Sequence, residues 1–119
     1  MNKNTGEFTV LEHFQGKNPS VRATYDKLLT ALRRMGPVVE EPKKTSIHLV
    51  RKTAFAGVAT RKDYILLTIK SDFKRPSPRI HNAEQVSVGR FHLEVKLLSP
   101  ADVDSELVSW LRESYELSA

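Results

Sequence analysis

The stretch PKKTSIHLVRKTAFAGVATRKDYILLTIK, residues 42 to 70, threads lysines, arginines and a histidine between short apolar runs. Side chains of these types at this density hold anions. On a nucleic acid, each cation set against a phosphate releases counterions and supplies affinity that does not depend on base sequence. The candidate anion- or ligand-binding residues are Lys43, Lys44, Thr45, His48, Lys52, Arg61, Lys62, Tyr64, Lys70, Lys74, Arg75, Arg79 and His92. Tyr64, His48 and His92 could stack on bases, though they are fewer than a full aromatic platform provides. Phe73, in a loop beside Lys74 and Arg75, would be a further contact if exposed.

Other chemistries find less support. The histidines are His13, His48, His81 and His92, and none stands at a metal-binding spacing such as i, i+4 on a helix. His48 and His92 could meet if their strands were neighbours, with Glu94 as the third ligand, but surface positions are the simpler reading. The chain lacks Gly-x-Ser-x-Gly, a Ser-x-x-Lys at a helix start and the phosphate-cradling glycine patterns, so no catalytic residue, metal or cofactor is expected. Gly57 stands alone in FAGVA, where a bulge or a close backbone approach would account for it. Glu40 with Glu41 precedes Pro42 on an expected edge strand, and Asp102 with Asp104 falls in an expected first helical turn, where the dipole favours negative charge.

Composition narrows the class. A chain of 119 residues with 39% hydrophobic and 28% charged residues is expected to form a single globular domain over residues 1–119, with residues 1–8 as a flexible tail. Without cysteine it has neither disulfides nor thiolate metal sites, which fits a cytoplasmic protein. The opening MNKNTGEF has no apolar signal segment, and no later run reaches the roughly 18 apolar residues of a membrane span. Net charge is +5, unevenly spread. Residues 43 to 79 carry ten basic and two acidic groups, whereas residues 99 to 119 carry one basic and five acidic.

These residues must be positioned by elements with legible boundaries. Thr9 and Glu12 stand at capping-box spacing, ahead of a short helix over about residues 10 to 15 closed by Gly16. Asn18 and Pro19 start a longer helix that Gly36 and Pro37 end, with Val21, Tyr25, Leu28, Leu29, Leu32 and Met35 on one face. From 38 to 98 the period changes to two, with strands expected near 38–41, 46–52, 54–60, 64–70, 84–88 and 91–98. Ser99 as cap and Pro100 in the first turn would open a last helix, with Val103, Leu107, Trp110, Leu111 and Ser114 on its core face.

The predicted fold is therefore α+β, a two-layer sandwich in which N- and C-terminal helices cover one face of an antiparallel five- or six-stranded meander sheet. Strand alternation assigns Ile47, Leu49, Ile65, Leu67, Ile69, Val86, Val88, Phe91, Leu93, Val95 and Leu97 to the core face. It assigns Ser46, His48, Val50, Lys52, Tyr64, Leu66, Thr68, Lys70, Ser87, His92, Glu94, Lys96 and Leu98 to the other face, left open or partly covered.

Three blocks, EEPKKTSIHLVRKTAFAGVATRKDYILLTIK, SPRI and ADVDSELVSWLRESYEL, resemble a family of small bacterial proteins and C-terminal domains classed as a domain of unknown function, whose longer members are sometimes labelled predicted transport proteins. The resemblance runs from TVLEHFQGK onward. It implies no catalytic residues and draws attention to Lys43, Lys44, Thr45, Arg61, Lys62 and Arg79. The chain departs from the pattern at Ala59 and Thr60, where relatives often carry His-Pro, and at Ser114, where they carry Ala.

Three functions remain open. The first is a non-catalytic binding domain for an anionic partner such as nucleic acid, with no membrane role. The second is a small-molecule domain or enzyme with a cleft near His48, Tyr64, His92 and Arg79. The third is an interaction module, such as a homodimer joined through sheet edges or faces. An antiparallel sheet can also keep a polar, solvated side with no ligand at all.

Overall fold

Asn18 opens the long helix as its sequence requires, its side-chain oxygen accepting the Ser20 N–H at 3.0 Å while Pro19 occupies the first helical position. The computed structural model, which describes residues 7–119, runs this helix, α1, over Pro19–Arg33. The tail expected at residues 1–8 falls mostly outside the described residues. The Thr9–Glu12 capping box forms reciprocally, Thr9 N–H to the Glu12 carboxylate at 2.7 Å and Glu12 N–H to the Thr9 hydroxyl at 3.2 Å. What it starts is a single 3-10 turn, Leu11–Phe14, rather than an α-helix.

After α1 the chain must turn sharply, and Gly36 permits it at φ +150°. A β-carbon there would also lie 2.5 Å from the Tyr115 hydroxyl, so both backbone angle and space demand glycine. Six strands follow: β1 (Val39–Pro42), β2 (Ile47–Val50), β3 (Ala54–Thr60), β4 (Ile65–Ser71), β5 (Ile80–Ser87) and β6 (Arg90–Leu97). All pair antiparallel in the order β1-β2-β3-β4-β6-β5. The expected meander holds through β4. The chain then crosses to the outer edge, and the β5–β6 hairpin returns β6 to pair with β4.

The last helix, α2, spans Ser105–Glu116. Ser99 does not cap it. Pro100–Asp102 forms a separate 3-10 turn, the Asp102 carboxylate accepts the Leu98 N–H at 2.7 Å, and Asp104 caps α2 by accepting the Leu107 N–H at 3.0 Å. Burying Val103 in the core breaks the helical path between turn and helix. Both aspartates thus accept a backbone donor.

The stripes of α1 and α2 meet one side of the sheet. Tyr25, Leu28, Leu32, Leu107 and Leu111 are fully buried with Ile47, Leu49, Val58, Ile65, Leu67, Ile69, Leu93, Val95 and Leu97. Trp110 and Tyr115 join this core. Val86 and Val88, expected there, are 46% and 97% exposed. They lie at the β5–β6 turn, where the register slips between Gln85 and Ser87 and Gly89 reverses the chain at φ +70°, so alternation no longer aims them at the helices.

One irregularity in the centre is closed by a side chain. A bulge leaves Phe55 between Ala54 and Ala56, which pair with Val50 and Leu49, so Phe55 and Ala56 are both buried. Phe55 packs edge-on against Tyr115 at 5.2 Å. Just past the last paired residues of β3 and β4, the fully buried Ser114 hydroxyl donates to the Phe55 carbonyl at 2.6 Å and accepts the Lys70 N–H at 3.0 Å. Replacing Ser114 by Ala leaves both groups without their partner, and the expected loss is about 1–3 kcal/mol of unfolding free energy. Urea denaturation of the two chains measures it, and coincident midpoints would refute this role for the hydroxyl.

Candidate functional site

The open face starts from pleat geometry: with both helices on one side, every second residue of the sheet points the other way. Among the described residues no element packs over that second side, and His48, Leu66, Thr68, Lys70 and Glu94 on it are half-buried by their neighbours alone. Register sets its central row as Glu41, His48, Gly57, Thr68, Glu94 and Asn82 across β1, β2, β3, β4, β6 and β5. The next row sets Lys70 against His92 and His92 against Glu84.

Along β3 this face carries almost no side chains. Gly57 and Ala59 form the floor of a groove of about 270 Å³, walled by Ser46 and His48 on one side and Thr68, Lys70 and His92 on the other. Gly57 is neither a bulge nor a close-contact residue, contrary to expectation. The bulge lies two residues earlier at Phe55, Gly57 pairs regularly with His48 and Thr68, its φ is not positive, and an added β-carbon would meet nothing within 4 Å. Glycine inside a strand weakens it by about 0.5–1 kcal/mol relative to alanine. No backbone or packing requirement here offsets that cost.

Lys70 closes one end of the groove. Its ammonium donates to the Thr53 hydroxyl at 3.2 Å and the Ser118 hydroxyl at 3.1 Å, and among the described residues no carboxylate pairs with it. Burial, and secondarily the charge of Arg90, push its pKa below the usual lysine value.

The other predicted residues divide into groups. Lys43, Lys44 and Thr45 occupy the β1–β2 turn, and Arg61 and Lys62 the β3–β4 turn, both at the opposite end of the sheet from Lys70. His13 anchors the first turn by donating to the Lys43 carbonyl at 2.8 Å, and the Asn18 N–H anchors the second through the Lys62 carbonyl at 2.8 Å. Lys43 lies 3.7 Å from Glu41, whereas Lys44, Arg61 and Lys62 are exposed. Tyr64 is covered by the Lys96 ammonium, 4.8 Å from its ring centre. Lys52 is exposed in the β2–β3 turn, near Lys70. His48 and His92 line one groove but do not form a pair, since β3 and β4 separate their strands. No group of three His, Asp or Glu among the described residues is arranged to hold a metal.

Arg75 and Arg79 are not on the open face. The crossover from β4 to β5 passes on the helix side, and both guanidiniums sit over Trp110, at 5.0 and 5.6 Å. Arg75 bonds Glu113 at 2.6 Å and stacks on Phe73 at 4.6 Å, while Lys74 between them is exposed. Arg79 donates to both Asp104 oxygens at 2.9 and 3.1 Å, to Glu106 at 2.9 Å and to the Asp102 carbonyl at 2.9 Å. Burial opposes its charge, but the Glu106 and Asp104 carboxylates outweigh burial and raise its pKa. A cleft combining Arg79 with His48, Tyr64 and His92 therefore does not exist.

Thr53 and Ser118 carry no signal in the sequence, Ser46 and Thr68 are assigned there to the open face but to no site, and Gly57 and Ala59 draw notice only as an expected bulge or close approach and as a departure from the family pattern. The small residues of AFAGVA were a visible signal for the groove floor, but only pairing shows which of them share a face with Lys70.

The chain belongs to the domain of unknown function family DUF5655, whose profile matches residues 10–118. No curated protein and no solved structure matches it.

The Arg79 cluster predicts an acid-sensitive latch. The Leu107 N–H and Arg79 hold the Asp104 carboxyl below the usual aspartate range. Its stabilising contribution is complete above about pH 4, the ordinary aspartate value, and is lost as pH falls through the depressed one. Arg79→Met should lower the melting temperature near neutrality and make its further fall toward about pH 2 shallower than in the unmodified chain. Parallel curves in thermal melts across this range would contradict the latch.

Proposed function

We propose that this domain is a non-catalytic binding module whose uncovered sheet face takes an anionic partner, with nucleic acid as the polyanion that suits it best. The observation that carries this reading is Lys70, a partly desolvated ammonium on an open sheet surface that is met by two hydroxyls and no carboxylate. An arriving phosphate would supply the missing counter-charge with little competition from an internal partner. Lys52 extends the positive edge on one side, while Lys44, Arg61 and Lys62 offer exposed cations at the other.

The crossover arginines take no part, because Glu113, Asp104 and Glu106 already hold them.

Fluorescence anisotropy with a labelled short single strand, DNA or RNA, tests the proposal. Affinity should fall steeply between about 50 mM and about 200 mM salt, with a log–log slope near −0.7 for each phosphate contacted. Lys70→Met combined with Lys52→Met should flatten that slope. Absence of binding at the lowest salt would remove the proposal.

A further inference from the structure

We infer that the Gly57 groove is a seat for one planar ring bearing a phosphate, a nucleotide unit, with the ring laid on the Gly57–Ala59 floor and the phosphate against Lys70. This inference rests on the anion-binding reading above and specifies its ligand.

Space makes the first argument. His48 and Thr68 flank Gly57 on β2 and β4, so their α-carbons stand two strand spacings apart, roughly 10 Å. With hydrogen alone at Gly57 and a methyl at Ala59, the floor between these walls is flat and mostly apolar. The volume of about 270 Å³ is slightly under the roughly 300–1,000 Å³ of sites for drug-sized ligands, which suits a single ring system.

Glycine makes the second. A central strand tolerates glycine where the backbone angle or a neighbouring atom forbids a side chain, and neither condition holds at Gly57. What its missing side chain preserves is the groove itself.

Charge makes the third. Lys70 stands at one end of the groove with His92 beside it across β4 and β6, so an anion there meets a fixed cation and a ring N–H donor. His48, at the wall, offers an imidazole edge or face to the seated ring. A free nucleotide and a nucleotide within a single strand share this chemistry.

The test uses the full chain labelled with ¹⁵N and titrated with adenosine 5′-monophosphate, adenosine, inorganic phosphate and a short single-stranded DNA. The monophosphate should shift the amides of Gly57, Thr68 and Lys70 and bind more tightly than adenosine or phosphate alone. Gly57→Val should fold with an equal or higher melting temperature, since a β-branched residue suits an open strand position, yet lose about tenfold or more in affinity, the scale of one base stack. Lys70→Met should weaken the monophosphate and leave adenosine unchanged. Should Gly57→Val fail to fold, the premise that glycine is structurally unnecessary is refuted, and Ala59→Val on the same floor then tests the ring seat alone.

If the strand still binds with steep salt dependence but Gly57→Val binds it as well as the unmodified chain does, the groove inference falls and the face reading stands. If neither the monophosphate nor the strand binds, both fall. Shifts confined to the β1 or β5 edge, with a mass that grows with concentration, would assign the surface to a second copy and overturn the inference. Tighter binding of the strand than of the monophosphate identifies the strand as the source of the nucleotide.

Discussion

Both helices, with one apolar stripe each, pack on the same face of the six-stranded sheet. Nearly all the leucines, isoleucines and valines that alternate toward α1 and α2 are removed from water, and this burial is the main favourable term holding the layers together. With both helices on that side, the other face is left to water. The open surface follows from both helices packing on one side, and the groove follows from the small residues β3 places on the uncovered side.

The charge distribution is divided between holding the fold and facing solvent. The excess of basic groups in the middle of the chain and of acidic groups at its end suggests a polarised molecule. Much of that polarity is cancelled internally, where Arg75 and Arg79 reach across the crossover to Glu113, Asp104 and Glu106 and flank Trp110. Such pairs are partly exposed, so their Coulombic contribution is modest. Their larger effect is geometric: they bind the crossover to α2 on its way to the outer strand β5. Lys70 and Lys52 at one end and Lys44, Arg61 and Lys62 at the other are among the cations that no carboxylate of the described residues holds in this way.

Local grammar was read well where the deciding interaction is itself local. The Asn18 cap, Pro19, the Thr9–Glu12 box and the exit at Gly36 depend on residues within a few positions of one another, and each is found as expected. Reading was weaker where two local signals competed. Ser99 and Pro100 offer a plausible helix start, but Val103 is worth more to the core than to a continuous helix, so Asp104 becomes the cap. Val86 and Val88 keep the alternation of a core strand, but a turn and a register slip send them to solvent.

Helix and strand types, the one-sided core and the set of cations were legible in the chain itself, because periodicity and capping are written over spans of a few residues. Assembly of the fold settles that β6 lies between β4 and β5, that Arg75 and Arg79 pair with α2 and the turn before it, and that Gly57 stands between His48 and Thr68 with empty space above it. Those outcomes depend on which distant segments pair and in what register. A strand's alternation is the same beside any neighbour, so it carries no information about the partner until the sheet is assembled.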